Sequence, residues 1–400
     1  MPATNGRFRF YSNNRTTDFK FNQLIFHTDN PFFAMKVNTK KVSFVEPLTL
    51  KSGEVLNGFD LMTETYGELS DAKDNAVLVC HAFSGNHHAA GKKDGKKKPG
   101  WWDELIGDGK TIDTKKFFVV ALNNIGGCHG STGPANTENK LKQHNGAHFP
   151  EVSVSDWVKT QKLLADHFGI DCWEMVAGGS LGGMQALQWG ISYPDKVKKV
   201  AIIAASSKIS TQNIALNEVA REIIRKDENF HNGDYLSKDV SPKKGLKAAR
   251  MLGHITYLSE SNMRKRFGRR LQDPENKIDA DVNYEVENYL QYKGEQFANT
   301  FDANSYILMT KAMDSFDPAK DFDNDLVKCL KTIQAKLLII SFDSDWLFPK
   351  EYGVEIQMSA IKAGINSSYI ELEGDYGHDS FLFYSEQYSA ALKNFLNSNG

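Results

Sequence analysis

Four cysteines in 400 residues, each more than forty positions from the next, provide neither a disulfide framework nor a paired C-x-x-C metal site. A reducing, cytoplasmic setting is expected from that usage. Charge of one sign is not in excess either: 48 basic against 50 acidic residues leave a formal net charge of −2. The broad basic field that draws a protein to nucleic acid or to an anionic membrane is therefore missing, and neither partner is expected. No apolar run approaches the ~18 residues of a membrane span. The N-terminus scatters its charges instead of placing a basic start before an apolar core, so a secretory leader is not expected. Internal repeats are lacking, and the one biased tract, Gly91 to Lys98, reads as a solvated lysine-rich loop.

What is present is a 40% hydrophobic chain long enough for one large core with an insertion. Residues 1–34 follow neither helical nor strand periodicity and read as an appended, flexible extension, with Met35 a plausible natural start. Orderly sequence follows. Ser43–Val45 and Asp60–Tyr66, separated by a Lys51–Glu54 turn, suggest an antiparallel opening. The continuously apolar runs Ala76–Cys80 and Phe117–Leu122 suggest parallel strands buried on both faces. A helix is expected over 155–167 with Ser155 as its N-cap, then a strand over 173–177, a helix over 184–193, and strands over 200–204, 337–341 and 368–372. Such alternation predicts an α/β fold with a mostly parallel central sheet. From 207 to 329 the strand-like runs give way to charge-laced amphipathic stretches such as 213–226 and 243–257, predicting a helical lid inserted between core segments 35–206 and 330–400. An insertion there covers the strand ends at which a doubly wound sheet takes its ligands.

Chemistry enters at Gly178-Gly179-Ser180-Leu181-Gly182, a G-x-S-x-G sequence between a buried strand and a helix. The glycines permit a turn tight enough to lift the Ser180 hydroxyl clear of the sheet. A serine nucleophile needs a base and the base needs an orienting acid, expected at later strand ends in the order Ser, Asp, His. Asp345, in the loop after 337–341, and His378, after 368–372, satisfy that order; Asp343 is the rival acid, less favoured because it lies nearer the strand. The oxyanion donors are assigned to the backbone N–H groups of Leu181 and of Phe83, in the turn after the first parallel strand. His81 is expected to brace that turn. His87 and His88, with no third ligand at a suitable spacing, read as surface-loop residues, and no metal site is expected. The basic run Met263–Arg270 reads as a solvated helix face in preference to a contact for ligand phosphates.

These residues resemble the homoserine O-acyltransferases of methionine biosynthesis, members of the α/β-hydrolase superfamily, from about Phe44 to the C-terminus. The likeness is carried by Thr63–Gly67, Cys80–Gly85, Gly100–Asp103, Asn123–Pro134, Gly178–Gln185, Ala248–Tyr257 and Gly377–Leu382. It implies a ping-pong reaction through an acyl-Ser180 intermediate, with acyl-CoA and L-homoserine as substrates, no resident cofactor and a homodimeric assembly. It further implies that Arg250 grips the homoserine carboxylate and Asp379 its ammonium; residue by residue, a surface ion pair and a helix cap are the competing readings. Leu347, two positions after Asp345, offers no cation to a succinyl carboxylate, so acetyl is the expected donor group and succinyl the alternative. A hydrolase with the same three side chains, or a non-catalytic binding protein on this fold, are the rival classes.

Overall fold

The apolar runs become the centre of an eight-stranded sheet. In this computed structural model, which describes residues 35, 37–92, 99–135, 146–272 and 284–398, the strands are β1 (Val37–Phe44), β2 (Phe59–Tyr66), β3 (Ala76–Cys80), β4 (Phe118–Leu122), β5 (Met175–Gly179), β6 (Lys199–Ile203), β7 (Lys336–Phe342) and β8 (Ser367–Leu372). Their spatial order is β1-β2-β4-β3-β5-β6-β7-β8; β1 and β2 are antiparallel to their neighbours, and all pairs from β4 onward are parallel. This is the expected α/β architecture. The appended segment 1–34 and most of the lysine-rich loop lie outside the described residues.

Strands β3, β4, β5 and β6 are buried at every position, which their unbroken apolar composition permits only with helices on both faces. Helix α1 (Val154–Phe168) packs against α2 (Leu181–Ser192), and α2 against β5 and β6. Three local expectations are corrected. The N-cap of α1 is Ser153, not Ser155, because only Ser153 stands three residues before Asp156 and completes a reciprocal capping box. The strand expected at 173–177 runs from Met175 through Gly179: Gly178 and Gly179 pair in register with Ile202 and Ile203, and they must be glycine because a Cβ there would strike the Gly182 backbone and the Phe381 ring. At the edge, β1 starts at Val37, six positions before the expected strand; five of its first residues are exposed, so alternation could not reveal it.

Between β6 and β7 the described secondary structure is helical: α3 (Thr211–Arg225), α4 (Lys243–Tyr257), α5 (Glu260–Arg266), α6 (Glu285–Ala298), α7 (Ala303–Asp314) and α8 (Leu326–Leu330). Helix α4 packs on α3, on α6 and on the turn Gly377–Leu382, so these helices lie against the loop that follows β8. After β7 come α9 (Lys350–Ala363) and, at the end, α10 (Glu386–Asn397). Among the described residues no helix is long and apolar enough to cross a membrane.

Candidate active site

Register aligns the C-terminal ends of β3, β5 and β6, with Cys80 beside Gly178 and Gly178 beside Ile202. At that edge the chain turns from β5 into α2 through Ser180, whose φ of 58° and ψ of −125° are strained for a residue with a Cβ. Its N–H is held by the Ile203 carbonyl at 2.9 Å. The turn closes only because residue 182 is glycine: a Cβ there would lie 2.1 Å from the Cys80 carbonyl oxygen.

His378, 198 positions along the chain, brings Nε2 to 2.8 Å from the Ser180 hydroxyl. Its Nδ1 lies 2.7 Å from Asp345 Oδ2, while Asp345 Oδ1 accepts the Leu347 and Phe348 N–H groups at 3.0 and 2.8 Å. Asp343 is occupied elsewhere, accepting the Gly374 N–H at 2.8 Å. Phe348 stacks on the His378 ring at 4.9 Å and Phe381 meets its edge at 5.5 Å, which fixes the imidazole between two aromatic faces. All three polar side chains are buried, so their mutual hydrogen bonds are not competing with bulk water. The arrangement suits proton removal from an alcohol and covalent capture of an acyl group.

The oxyanion side is built by a buried amide network. Gln161 Nε2 donates to Gln185 Oε1 at 2.7 Å, and Gln185 Nε2 donates to the His81 carbonyl at 3.2 Å. His81 accepts the Asn124 N–H on Nε2 at 3.2 Å, which leaves Nδ1–H to donate to the Ala82 carbonyl at 2.7 Å. Burial pushes His81 down to about 4, so it braces the turn as a neutral ring. No acceptor among the described residues takes the N–H of Phe83 or of Leu181. Phe83 lines the same pocket as Ser180 and His378.

Arg250 and Asp379 line that pocket as well. The Arg250 guanidinium lies 4.6 Å from the Phe297 ring centre and 5.2 Å from that of Tyr257, and its Nε and Nη1 have no hydrogen-bond partner among the described residues. A surface ion pair is therefore not its role. Burial raises the Asp379 carboxyl above the usual range, against the pull of His378, Arg250 and Lys293. A half-satisfied guanidinium and a destabilised carboxylate in one pocket are suited to a ligand with both an anionic and a cationic group.

His87 and His88 are not surface residues. Glu64, fully buried in β2, draws them in: His88 Nδ1 is 2.9 Å from one carboxylate oxygen and His87 Nε2 is 3.9 Å from the other. Glu64 also accepts the Tyr66 hydroxyl at 2.6 Å, and the Tyr66 oxygen in turn accepts the Ala89 and Ala90 N–H groups. No group of three or more potential metal ligands occurs among the described residues. Sequence reasoning did not anticipate the pocket walls from α3 and α7, including Asn213, Asn217 and Thr310. Their helices are amphipathic, but periodicity does not distinguish a face that packs from one that lines a cavity.

Comparison with known proteins adds three findings. Residues 75–384 match the family model described as alpha/beta hydrolase fold. The homoserine O-succinyltransferases of Neisseria gonorrhoeae and Nitrosomonas eutropha are 50% and 49% identical over 363 residues, covering 90% of this chain and 96% of each relative. Among solved structures, homoserine O-acetyltransferase from Bacillus anthracis (TM-score 0.83, 28% identity, 90% of this chain and 98% of that one) and esterase E22 (TM-score 0.82, 28% identity, 90% and 100%) share the architecture.

Proposed function

Since the chain belongs to the homoserine O-acyltransferases of the α/β-hydrolase fold, we propose that it moves a succinyl group from succinyl-CoA to the side-chain hydroxyl of L-homoserine by way of a Ser180 ester. The observation that carries the mechanism is the continuous Ser180–His378–Asp345 hydrogen-bond line. His378 Nε2 takes the Ser180 proton as Oγ attacks the thioester carbonyl; the Phe83 and Leu181 N–H groups receive the developing oxyanion. Collapse breaks the C–S bond, and the proton on His378 leaves with the CoA thiolate. Homoserine then enters, His378 takes its hydroxyl proton, the alkoxide attacks the acyl-serine, and the proton returns to Ser180. Asp345 holds the imidazole in the tautomer that accepts from serine, and stabilises the imidazolium. The α3–α8 helices serve as a lid that limits water at the ester, and the setting is a cytoplasmic homodimer.

The succinyl assignment replaces the acetyl expectation drawn from Leu347. That expectation used one uncharged side chain, whereas two relatives near 50% identity across almost their whole length carry the succinyltransferase name. Initial rates with homoserine and either acetyl-CoA or succinyl-CoA decide the matter. We expect kcat/KM to favour succinyl-CoA at least tenfold; a preference for acetyl-CoA would restore the earlier reading. Beyond the single equivalent per active site that accompanies formation of the serine ester, free CoA should appear only when homoserine is present, and continued release without acceptor would indicate an esterase, a class also represented among the structural neighbours.

Arg250 is assigned to the homoserine carboxylate, by a guanidinium fork, and Asp379 to its ammonium. In a ping-pong scheme kcat/KM for each substrate reports its own half-reaction. Arg250→Ala and Asp379→Asn should therefore lower kcat/KM for homoserine about a hundredfold, the loss of one charged hydrogen bond of about 2–3 kcal/mol, with the donor value changed less than threefold. Because Asp379 must be ionised to hold an ammonium and burial raises its pKa, homoserine binding should weaken as pH falls through that raised value. The homoserine profile should show one acid-side ionisation that the donor profile lacks, and Asp379→Asn should remove it. Identical profiles for the two substrates would refute the role.

A further inference from the structure

The start of α5, the helix on which the basic run begins, packs on the turn that carries His378, and exposed aromatic rings flank that turn; no step of the proposed reaction uses the run or the rings. Tyr376 and Phe383 flank the Gly377–Leu382 turn, which carries His378; their rings lie 4.2 Å apart at 30°, yet they remain 38% and 42% exposed. Trp346, similarly exposed, stands on the neighbouring loop with its Nε1 donating to the Leu258 carbonyl at 3.1 Å. Helix α5 is held against the same turn. The Ser259 hydroxyl donates to the Asp375 carbonyl at 3.1 Å, and the approach is so close that a Cβ on Gly377 would lie 2.5 Å from the Ser259 nitrogen.

Three of the run's arginines are committed to holding α5 on α6. Arg266 covers the Phe267 and Tyr289 rings, Arg269 covers the Tyr284 ring, and Arg270 pairs with Glu285 at 2.7 Å. The other two cations differ. Arg264 has only a 3.8 Å contact with Glu260, both side chains more than seventy per cent exposed, and Lys265 has no ion-pair partner among the described residues. Both sides of the seam between α4–α5 and the 377–382 turn continue into the pocket, through Thr256 and Tyr257 on one side and Asp379 and Leu382 on the other.

We propose that this rim binds the nucleotide half of the acyl donor: adenine stacks on the outer face of the Tyr376–Phe383 pair, and the phosphates meet Arg264 and Lys265. The pantetheine arm then passes over the outside of this closely packed seam into the pocket that holds Ser180. Exposed, closely tilted rings offer a π face to a purine, and two exposed cations, one with a single 3.8 Å ion contact, suit phosphate oxygens. Glu260 lies 3.8 Å from Arg264, so stacking carries most of the binding and the charges add a salt-sensitive part. The inference rests on acyl-CoA being the donor.

The test compares succinyl-CoA with succinyl-N-acetylcysteamine, a thioester that keeps the acyl group and lacks the nucleotide. Wild type should prefer succinyl-CoA by at least tenfold in kcat/KM. Tyr376→Ala combined with Phe383→Ala should raise the KM for succinyl-CoA about tenfold, and Arg264→Glu combined with Lys265→Glu about threefold with a weaker dependence on salt. All four changes should leave kcat/KM for the short thioester within twofold, which also shows that the variants are folded. Adenosine 3′,5′-bisphosphate should compete with succinyl-CoA in wild type and lose that effect in the aromatic variant. Equal use of both thioesters by wild type, or equal losses on both in the variants, overturns the rim alone. Homoserine-dependent turnover with neither thioester overturns the acyl-CoA reading, and the rim with it.

Discussion

Ser180→Ala is expected to lower turnover by roughly 10⁴- to 10⁶-fold, the range for removal of a nucleophile that acts as a unit with its base. The side chain lost is small and makes one hydrogen bond, to His378 Nε2. Alanine keeps the Cβ that the strained φ of 58° already accommodates, so the elbow should survive the change. What disappears is the atom that carries the acyl group. Rapid mixing of wild type with donor alone should release one equivalent of CoA per active site as the ester forms, and the variant should show no such burst. A serine-directed phosphonate should label wild type and not the variant, a result that also separates an enzyme from a binding protein on this fold. Turnover within tenfold of wild type would be incompatible with the mechanism.

The parts of this site that could be read from the sequence are those tied to strand ends. Ser180 and Asp345 each follow a run whose apolar continuity marks a buried parallel strand, and His378 follows the edge strand β8, where only Leu372 is buried; the three share one end of the sheet because these strands are parallel. The choice between Asp345 and Asp343 is not fixed by sequence, since distance into a loop does not say where a carboxylate points; in the fold Asp343 faces the Gly374 N–H. The buried Glu64–Tyr66–His88 cluster was not legible at all. Glu64 stands between Thr63 and Thr65, a polar stretch of β2 that reads as solvent-facing, and only the packing of the 87–90 loop reveals that it is enclosed. Pocket walls supplied by α3 and α7 escaped for a related reason: Asn213, Asn217 and Thr310 belong to helices whose periodicity fixes a buried face but not what that face adjoins. The lean toward acetyl shows the limit of arguing donor choice from a single missing charge, since a carboxylate can also be met by amide and hydroxyl donors.

Asp345→Asn should cost about 10⁴ in kcat, the scale of removing the orienting acid's charge from such an arrangement. The size follows from hydrogen-bond direction more than from distance. Asp345 Oδ1 already accepts two backbone N–H groups, so an asparagine must place its carbonyl oxygen there and turn its NH₂ toward His378 Nδ1. The imidazole then accepts on Nδ1 and carries its proton on Nε2, facing Ser180 with a donor where an acceptor is required. Geometry is preserved while the base is switched off. Asp343→Asn provides the internal control: its carboxylate serves one backbone N–H in the β7–β8 loops, and a carbonyl oxygen can serve it equally well, so kcat should stay within about tenfold of wild type. Loss of activity in the Asp343 variant with retention in the Asp345 variant would exchange the two assignments. Equal and complete loss in both would mean that the loop's integrity, and not the tautomer of His378, sets the rate.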